Sequence, residues 1–232
     1  LFPSADSGEN QAKRPIDNNL GEQAKRPIDN NLGEQAKRPI DKKLSCPSGL
    51  ELSRPFERLS VRNAFLRYAE IDLWRCPSDE ALAKLALERG CRVSLDWSWE
   101  DCFHAILLQC VEPHLGQAVP TFLFDYPERL GALARCAERD YGRVAERFEL
   151  YAGGLELCNG FHELNDPLEQ RQRFLAEAAL RAQLGRPAMP LDEGLLSALS
   201  ELPDCAGNAL GFERVLMLLL GAEHIQELLL LC

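Results

Sequence analysis

A glycine turn between two strand-like runs constrains the fold of this chain more than any other feature of its sequence. The runs are Arg147 to Tyr151 and Leu155 to Asn159, and Ala152-Gly153-Gly154 separates them. Glycine adopts the positive φ angles that a tight two-residue turn requires. The pattern therefore predicts a β-hairpin at this position, with the two runs as neighbouring antiparallel strands.

Two glutamates in the hairpin predict a functional face. A two-residue turn places Glu149 and Glu156 on one face, as direct partners or as diagonal neighbours, whereas a three-residue turn separates them. Facing carboxylates repel each other, and a divalent cation between them reverses the sign of that interaction. The opposite face is predicted to be apolar core, made by Phe148, Leu150, Leu155 and Leu157. Two interpretations stay open, an acidic face that lines a pocket and one that is only solvated.

The end of the second run adds three side chains to this face. They are the amide of Asn159, the ring of Phe161 and the carboxylate of Glu163. Glu156 and Asn159 are three residues apart, so a regular strand would direct them to opposite faces. Gly160 is therefore predicted to mark a bulge or bend that turns Asn159 and Glu163 towards the same site.

A strand followed directly by a helix near the C-terminus predicts an anion site. Ala206 to Leu210 is strand-like, and Gly211 opens an apolar helix. A strand that runs into a helix N-terminus directs backbone N–H groups towards a phosphate. Arg214 lies in the first helical turn, where a cation opposes the helix dipole, so its position favours a nearby anion. Val215 to Leu220 are interpreted as buried core.

Capping residues and proline predict the remaining elements. Ser60, Ser78, Ser98 and Asp166 are interpreted as helix N-caps, and Pro120 to Pro127 reads as a strand. The helices are predicted to span 60–69, 78–90, 98–111, 166–184 and 192–202. His104 is interpreted as an ordinary residue on a helix face rather than as a metal ligand.

Composition limits the possible partners and the compartment. A chain of 232 residues with 46% apolar residues has room for one sizeable domain and a tail. Its net charge of −10 argues against a broad nucleic-acid surface and suits a partly basic protein partner. Nine cysteines without a Cys-x-x-Cys pair predict neither a zinc ribbon nor a disulfide framework, and they favour a reducing cytosol. No apolar run reaches membrane-spanning length, and the first residues do not resemble a signal peptide.

A tandem repeat near the N-terminus predicts the domain organisation. Residues 8–44 hold three copies of a motif whose later copies open Gly-Glu-Gln-Ala-Lys-Arg-Pro-Ile-Asp. Each copy has too few apolar residues for a core, and its proline interrupts a helix. We therefore predict a disordered tail over 1–44, a linker over 45–58 and the main domain over 59–232. A short irregular solenoid or a partner-binding array is the alternative for the tail.

Three blocks in order resemble a known family. They are Arg147-Phe-Glu, the stretch from Gly154 to Asp166 and the stretch from Gly207 to Arg214. Together they resemble the C-terminal catalytic half of class II lysyl-tRNA synthetases. They are more similar still to a truncated paralogue family, the ligases that attach (R)-β-lysine to a lysine of translation elongation factor P. The correspondence runs from about Leu59 to Cys232. It implies an α+β fold, an antiparallel sheet flanked by helices, which is the class II aminoacyl-tRNA synthetase catalytic fold, incomplete here.

The resemblance also implies substrates and residue roles. Family members use ATP and Mg²⁺ to form an aminoacyl-adenylate, and the acyl group then passes to an acceptor. By motif match, Glu149 and Glu156 would bind the metal and the ATP phosphates. Gly211 and Arg214 would also bind ATP, and Arg214 would be the catalytic residue. The amino-acid pocket would be lined by Asn159, Phe161, Glu163 and Ala209, with Glu163 paired to the ammonium of a lysine-like substrate. Ala209 and His162 match the paralogue family rather than the synthetases.

Two earlier family motifs, a dimer motif and an Arg-bearing strand at the α-phosphate, have no counterpart in residues 1–58. We therefore expect weak or absent catalysis, an exposed sheet edge and an exposed apolar face. The expected partners are a lysine-like amino acid, ATP and elongation factor P in the cytoplasm, without tRNA or a membrane. A homodimer is expected from the family, although the missing dimer motif argues against it. A lysyl-tRNA synthetase fragment, a non-catalytic binding module and a truncated non-functional product are the alternatives.

Overall fold

The structure is a computed structural model that describes residues 49–228. The predicted tail over 1–44 and the first residues of the predicted linker lie outside the described residues. All described residues belong to one compact unit. The strands are β1 (Glu57–Ser60), β2 (Thr121–Pro127), β3 (Cys136–Arg139), β4 (Gly142–Ala152), β5 (Leu155–His162) and β6 (Ala206–Leu210). The α-helices are α1 (Val61–Tyr68), α2 (Asp79–Glu88), α3 (Trp99–Ile106), α4 (Pro167–Gln183), α5 (Glu193–Ala198) and α6 (Phe212–Leu220).

One sheet organises the described residues. Its strand order is β1-β2-β4-β5-β6. Strand β3 pairs with the first residues of β4, which β5 does not reach. All pairs are antiparallel except β1 with β2, which run parallel. Helices α1 to α3 connect β1 to β2, and a crossover of that length is what a parallel pair requires. The α+β fold with a sheet flanked by helices is therefore confirmed, with one parallel pair added to the antiparallel strands.

The predicted hairpin is formed by β4 and β5. Ala152 pairs with Leu155, so the turn consists of Gly153 and Gly154. Their φ angles are 60° and 77°, and two positive φ angles in a row define the type I′ turn that matches the strand twist. Of the turns considered from the sequence, the two-residue turn at the second position is correct.

A bulge interrupts the hairpin after its first two residue pairs. Tyr151 pairs with Glu156, whereas the next residue of β4, Leu150, pairs with Cys158. Leu157 is therefore the extra residue, because no residue of β4 pairs with it. The predicted bulge exists, but it lies at Leu157 and not at Gly160. A bulge at this position changes the face to which each later residue of β5 points.

Gly160 has a different function from the one predicted. It stays in the regular ladder opposite Phe148. The Phe148 ring occupies the space where the Cβ of any larger residue at position 160 would lie. The glycine therefore allows the ring to cross the sheet surface.

All four predicted N-caps are confirmed. Each serine side chain accepts a hydrogen bond from the backbone N–H three residues later, and Asp166 accepts two in the same way. The Ser98 hydroxyl also donates to Oδ2 of Asp101 at 2.6 Å, a side-chain bond in place of the reciprocal backbone bond of a capping box. Helix α3 ends at Ile106, and Leu107–Val111 continues as a π-helical turn to the predicted end.

The main core lies between the sheet and helices α1 to α3. Its centre is aromatic, because Phe103 stacks on Phe65 at 4.9 Å and on Trp99 at 5.6 Å between ring centroids. The Tyr126 ring of β2 lies 6.4 Å from Phe103. The helical layer thereby contacts the sheet face on which the candidate site lies.

The opposite sheet face is only partly covered within residues 49–228. Leu50 and Leu157 form a small cluster there with Leu218 of α6. Val215 to Leu220 were predicted to be buried, and this prediction is wrong for most of them: only Met217 and Leu218 are buried, while the other side of α6 is solvent-exposed. The remaining face carries half-buried aromatic side chains, Phe122, Phe124 and Phe148. In the part of the chain that the structure describes, no helix has both the length and the apolar character needed to cross a bilayer.

Candidate active site

The bulge places the acidic and amide side chains of the hairpin on one face. Glu149 and Tyr151 are two apart on β4 and therefore share a face. Glu149 pairs with Asn159, and Tyr151 pairs with Glu156, so both β5 residues point to that face as well. Phe161 joins them two residues after Asn159.

Strand β6 extends this face. Ala209 pairs with Asn159, and Gly207 pairs with Phe161. The Glu163 carboxylate fills the space where the Cβ of a residue at position 207 would lie, so a larger residue there would displace that carboxylate. The structure thus brings together the residues predicted to bind the amino acid, Asn159, Phe161, Glu163 and Ala209.

Glu149 is the most buried residue of the predicted site, with 6% of its surface exposed. Its Oε2 atom accepts hydrogen bonds from the hydroxyls of Tyr126, at 2.6 Å, and Tyr151, at 2.7 Å. Its Oε1 atom accepts one from Nη2 of Arg147 at 2.6 Å. Burial and the adjacent Glu149 charge raise the pKa of both tyrosines, so their hydroxyls remain protonated donors.

These contacts decide between the interpretations of the acidic face. A solvated outer face is excluded for Glu149, because its carboxylate is buried and bonded to three donors. The same contacts do not fit a Mg²⁺ ion that bridges Glu149 and Glu156, since the Glu149 charge is already paired with Arg147. Within residues 49–228, no cluster of three or more metal-ligating side chains is present. Glu156 is different, because about a third of its side chain is exposed.

Arg214 contacts Glu156. Its Nη1 atom donates to the Glu156 carbonyl at 2.7 Å and lies 3.3 Å from the carboxylate Oε2. Half of the Arg214 side chain is exposed. The backbone N–H of Gly211 donates to the carbonyl of Leu157, the bulge residue, at 2.9 Å, which fixes the start of α6 against β5. Three of the four predicted ATP-binding residues, Glu156, Gly211 and Arg214, therefore lie together at one end of the site, whereas Glu149 lies opposite Asn159.

The structure adds functional neighbours that the sequence did not reveal. Arg147 was part of the family motif without a role, and its two-residue spacing from Glu149 was the available signal. Tyr126 gave no local signal, because a bulge at Asp125, with φ of 57°, sets its direction. Glu112 is a third carboxylate nearby: burial raises its pKa, and the charges of Glu149 and Glu156 raise it further.

His162 connects two elements on the other face of β5. Its Nδ1 lies 2.6 Å from the Glu146 carboxylate on β4, and its Nε2 lies 2.6 Å from Asp204 before β6. The bonds to Asp204 and then to Glu146 raise the pKa of His162 above its ordinary 6.5. Arg139 and Arg135 flank the two carboxylates. Protonated His162 therefore holds the segment before β6 against the sheet.

Replacing His162 with glutamine is expected to destabilise the fold most between pH 3.8 and 6.5. Because the folded-state pKa of His162 is raised, its contribution is complete below pH 6.5 and is lost as pH rises through the folded pKa. The bond to His162 lowers the folded pKa of Asp204, so the stabilisation that the Asp204 carboxylate contributes is lost only as pH falls below 3.8. Urea unfolding at about pH 5.5 and about pH 9 measures the difference. The exposed His104→Gln variant is the control, and an equal loss at both pH values would contradict the prediction.

The model of the family described as tRNA synthetases class II (D, K and N) matches residues 19–232. The match begins within the repeat, and not at Leu59 as the motifs suggested.

Several curated proteins are similar to this chain. The elongation factor P–(R)-beta-lysine ligase of Salmonella typhi is 43% identical over 180 residues, which cover 76% of this chain and 54% of that protein. The proteins of the same name from Salmonella paratyphi A and Salmonella enteritidis PT4 have the same identity and coverage. The chain therefore spans about half the length of the curated relatives that it matches.

Proposed function

The chain belongs to the class II tRNA synthetase family (D, K and N), and from that premise we propose that it serves as an ATP-dependent lysine ligase. The reaction is activation of lysine or β-lysine as an adenylate, followed by transfer of the acyl group to a lysine of elongation factor P. The observation that supports this most is the single sheet face that carries Glu156, Asn159, Phe161 and Ala209 together. The similar Salmonella proteins, named for elongation factor P, support the choice of acceptor.

The proposed chemistry has two steps. The substrate carboxylate attacks the α-phosphorus of ATP, which forms the adenylate and releases pyrophosphate. The amine of the acceptor lysine then attacks the acyl carbon, forms the amide and releases AMP. The protein contributes positioning and charge stabilisation rather than a covalent intermediate of its own.

Arg214 and Glu156 form the proposed nucleotide end. Arg214 is half-exposed and bonded to Glu156, so its guanidinium is able to exchange that contact for an ATP phosphate. Gly211 begins α6 without a side-chain cap, which leaves N–H groups at that helix end available to the same anion. Glu156, the accessible carboxylate, would hold a Mg²⁺ ion that neutralises phosphate charge when bound with ATP.

The amino-acid end lies further along the same strands. Glu163 is proposed to pair with the side-chain ammonium of the substrate, since a buried cation requires an opposite charge. Gly207 provides the space for its carboxylate. Asn159 and Phe161 line the pocket, and Ala209 lies beside Asn159 on the next strand. This arrangement suits a substrate with an ammonium group at one end and an activated carboxylate at the other.

The acceptor is proposed to be a protein in the cytoplasm. A net charge of −10 disfavours a phosphate backbone as partner and leaves a lysine-bearing protein as the complementary surface.

The Glu156→Gln substitution is expected to weaken ATP binding in the presence of Mg²⁺ by about tenfold, because the accessible carboxylate is lost. Calorimetry on the full chain measures this, with the Glu138→Gln variant as control. Glu138 is an exposed glutamate on β3 of the same sheet. Glu149 is unsuitable for this test because its replacement also breaks buried hydrogen bonds.

Equal ATP affinity in the wild-type chain and Glu156→Gln would contradict the proposed nucleotide site, as would no binding to either. Labelled lysine then identifies the acceptor when ATP, elongation factor P and tRNA are supplied separately. Label on elongation factor P is the expected result. Label on tRNA would favour the lysyl-tRNA synthetase fragment, and ATP binding without any transfer would favour a binding module.

A further inference from the structure

We propose that Arg147 is the positioning residue of the amino-acid pocket, and that it holds the Asn159 side chain with its Nδ2 amine directed at the ligand. The inference rests on the proposed function insofar as Asn159 is taken as a pocket residue. Arg147 itself does not contact the ligand. It acts through Asn159.

Every nitrogen of the Arg147 guanidinium is already bonded within the protein. Nε donates to Oδ1 of Asn159 at 3.2 Å, and Nη2 donates to Oε1 of Glu149 at 2.6 Å. Nη1 donates to the backbone carbonyl of Leu130 at 3.3 Å. Only 17% of the Arg147 side chain is exposed. Arg147 is thus a largely buried connection between the hairpin and the segment after β2, and each of its nitrogens uses at least one N–H within the protein.

Two aromatic rings fix the plane of the guanidinium. Its central carbon lies 4.5 Å from the ring centroid of Tyr126 and 5.8 Å from that of Phe161. Such cation–π contacts restrict both the position and the tilt of the group. Lysine has one ammonium in place of the planar fork, so it cannot donate to Asn159, Leu130 and Glu149 from three separate nitrogens. The orientation of Arg147 is therefore determined by its surroundings before any ligand binds.

The contact with Arg147 determines which end of the Asn159 amide faces outwards. A guanidinium only donates hydrogen bonds, so the atom that meets Nε must be the amide oxygen. The Nδ2 amine then lies on the other side of the amide group. Asn159 is half-buried, and among residues 49–228 no acceptor is paired with its Nδ2. The pocket consequently offers two N–H donors at this point, and the ligand atom that meets them is a hydrogen-bond acceptor.

The experiment combines ligand affinity with a double-mutant cycle. L-lysine binding to the full chain in the presence of ATP is measured by calorimetry for Arg147→Lys, Asn159→Ala and the double variant. Each single variant is expected to bind about tenfold more weakly, and the double variant no more weakly than either single one, because both remove one contact. Arg143→Lys is the matched control, since Arg143 lies exposed on the same strand and its side chain bonds only to Glu128 among the described residues. Additive losses in the double variant would overturn the proposal.

A spectroscopic measurement tests the positioning without any ligand. The Nε–H group of Arg147 is expected to give a slowly exchanging ¹⁵N resonance, assigned in the wild-type chain by through-bond correlation along the Arg147 side chain. In Asn159→Ala this resonance is expected to shift and exchange faster, whereas Arg143→Lys leaves it unchanged. Absence of a protected resonance, or no response to Asn159→Ala, would overturn the proposal even if Arg147→Lys fails to fold. If the wild-type chain binds no lysine, the proposed function fails, and the Nε–H resonance alone decides the role of Arg147.

Discussion

Replacement of Glu149 by alanine is expected to lower the free energy of unfolding by about 3–5 kcal/mol. The carboxylate is buried and bonded to Arg147, Tyr126 and Tyr151. Its removal leaves a largely buried guanidinium without its counter-charge and two buried hydroxyls without an acceptor. Urea unfolding at neutral pH, followed by the fluorescence of the tryptophans, gives the change in free energy.

Glu156→Ala is the matched control for this prediction. Glu156 lies on the same sheet face, but its side chain and that of Arg214 are substantially exposed. An exposed ion pair contributes about 1 kcal/mol or less, so the control is expected to unfold close to the wild-type midpoint. Equal losses for the two variants would mean that the hydrogen bonds around Glu149 do not stabilise the fold as argued.

Replacement of Phe103 by alanine is expected to cost about 3–5 kcal/mol of stability. The ring is fully buried, and it stacks between Phe65 and Trp99 while contacting Tyr126. Alanine leaves a cavity at the point where the helices meet the sheet, and the stacked neighbours cannot all collapse into it. Urea unfolding measures the loss.

The control for Phe103→Ala is Leu108→Ala, one turn further along, where 60% of the side chain is exposed. That variant is expected to change stability by about 0.5 kcal/mol or less. A second readout follows from the contact with Tyr126, whose hydroxyl bonds Glu149. Phe103→Ala is expected to lower the affinity for lysine in the folded protein. A large loss of stability with unchanged affinity would show that the packing of Phe103 does not influence lysine binding.

Local signals in the sequence were sufficient for much of the fold. Each predicted N-cap is correct because a cap depends on one side chain and the next three residues. The turn at Gly153 and Gly154 is equally local, since positive φ angles select glycine. Strand β3 and the first half of β4 were missed, because Cys136-Ala-Glu-Arg139 lacks the alternation of a half-buried strand. Those residues form a strand because β4 supplies the hydrogen-bonding partner, which is a long-range effect.

Burial was harder to predict than secondary structure. The charged face of β4 was expected to be the more exposed one, yet Glu149 is buried and Phe148 is only half-buried. Alternation identifies which residues share a face, but it does not identify the face that the helices cover. That choice depends on α1 to α3, which precede the hairpin by many residues.

The predicted site residues came from motif resemblance, and their grouping on one face is consistent with it. Resemblance could not indicate that Arg147 contacts Asn159 and Glu149 simultaneously, because those contacts depend on the register between β4 and β5. The sequence suggested a bulge but located it at a glycine. The bulge instead falls at an aliphatic residue that carries no turn signal.

The extra residue at Leu157 has a consequence for how the active site tolerates change in length. If Leu157 took a regular place in the ladder, the same turn would pair Asn159 with Phe148, and every residue of β5 beyond Glu156 would be directed to the opposite side of the sheet. The proposed nucleotide end would then open on one side of the protein and the amino-acid end on the other. Deletion of Leu157 would instead leave a regular ladder in which Asn159 still lies opposite Glu149, so both ends of the site would stay on one face. Loss of the bulge without a change in length is what would separate the two substrates by the thickness of the sheet.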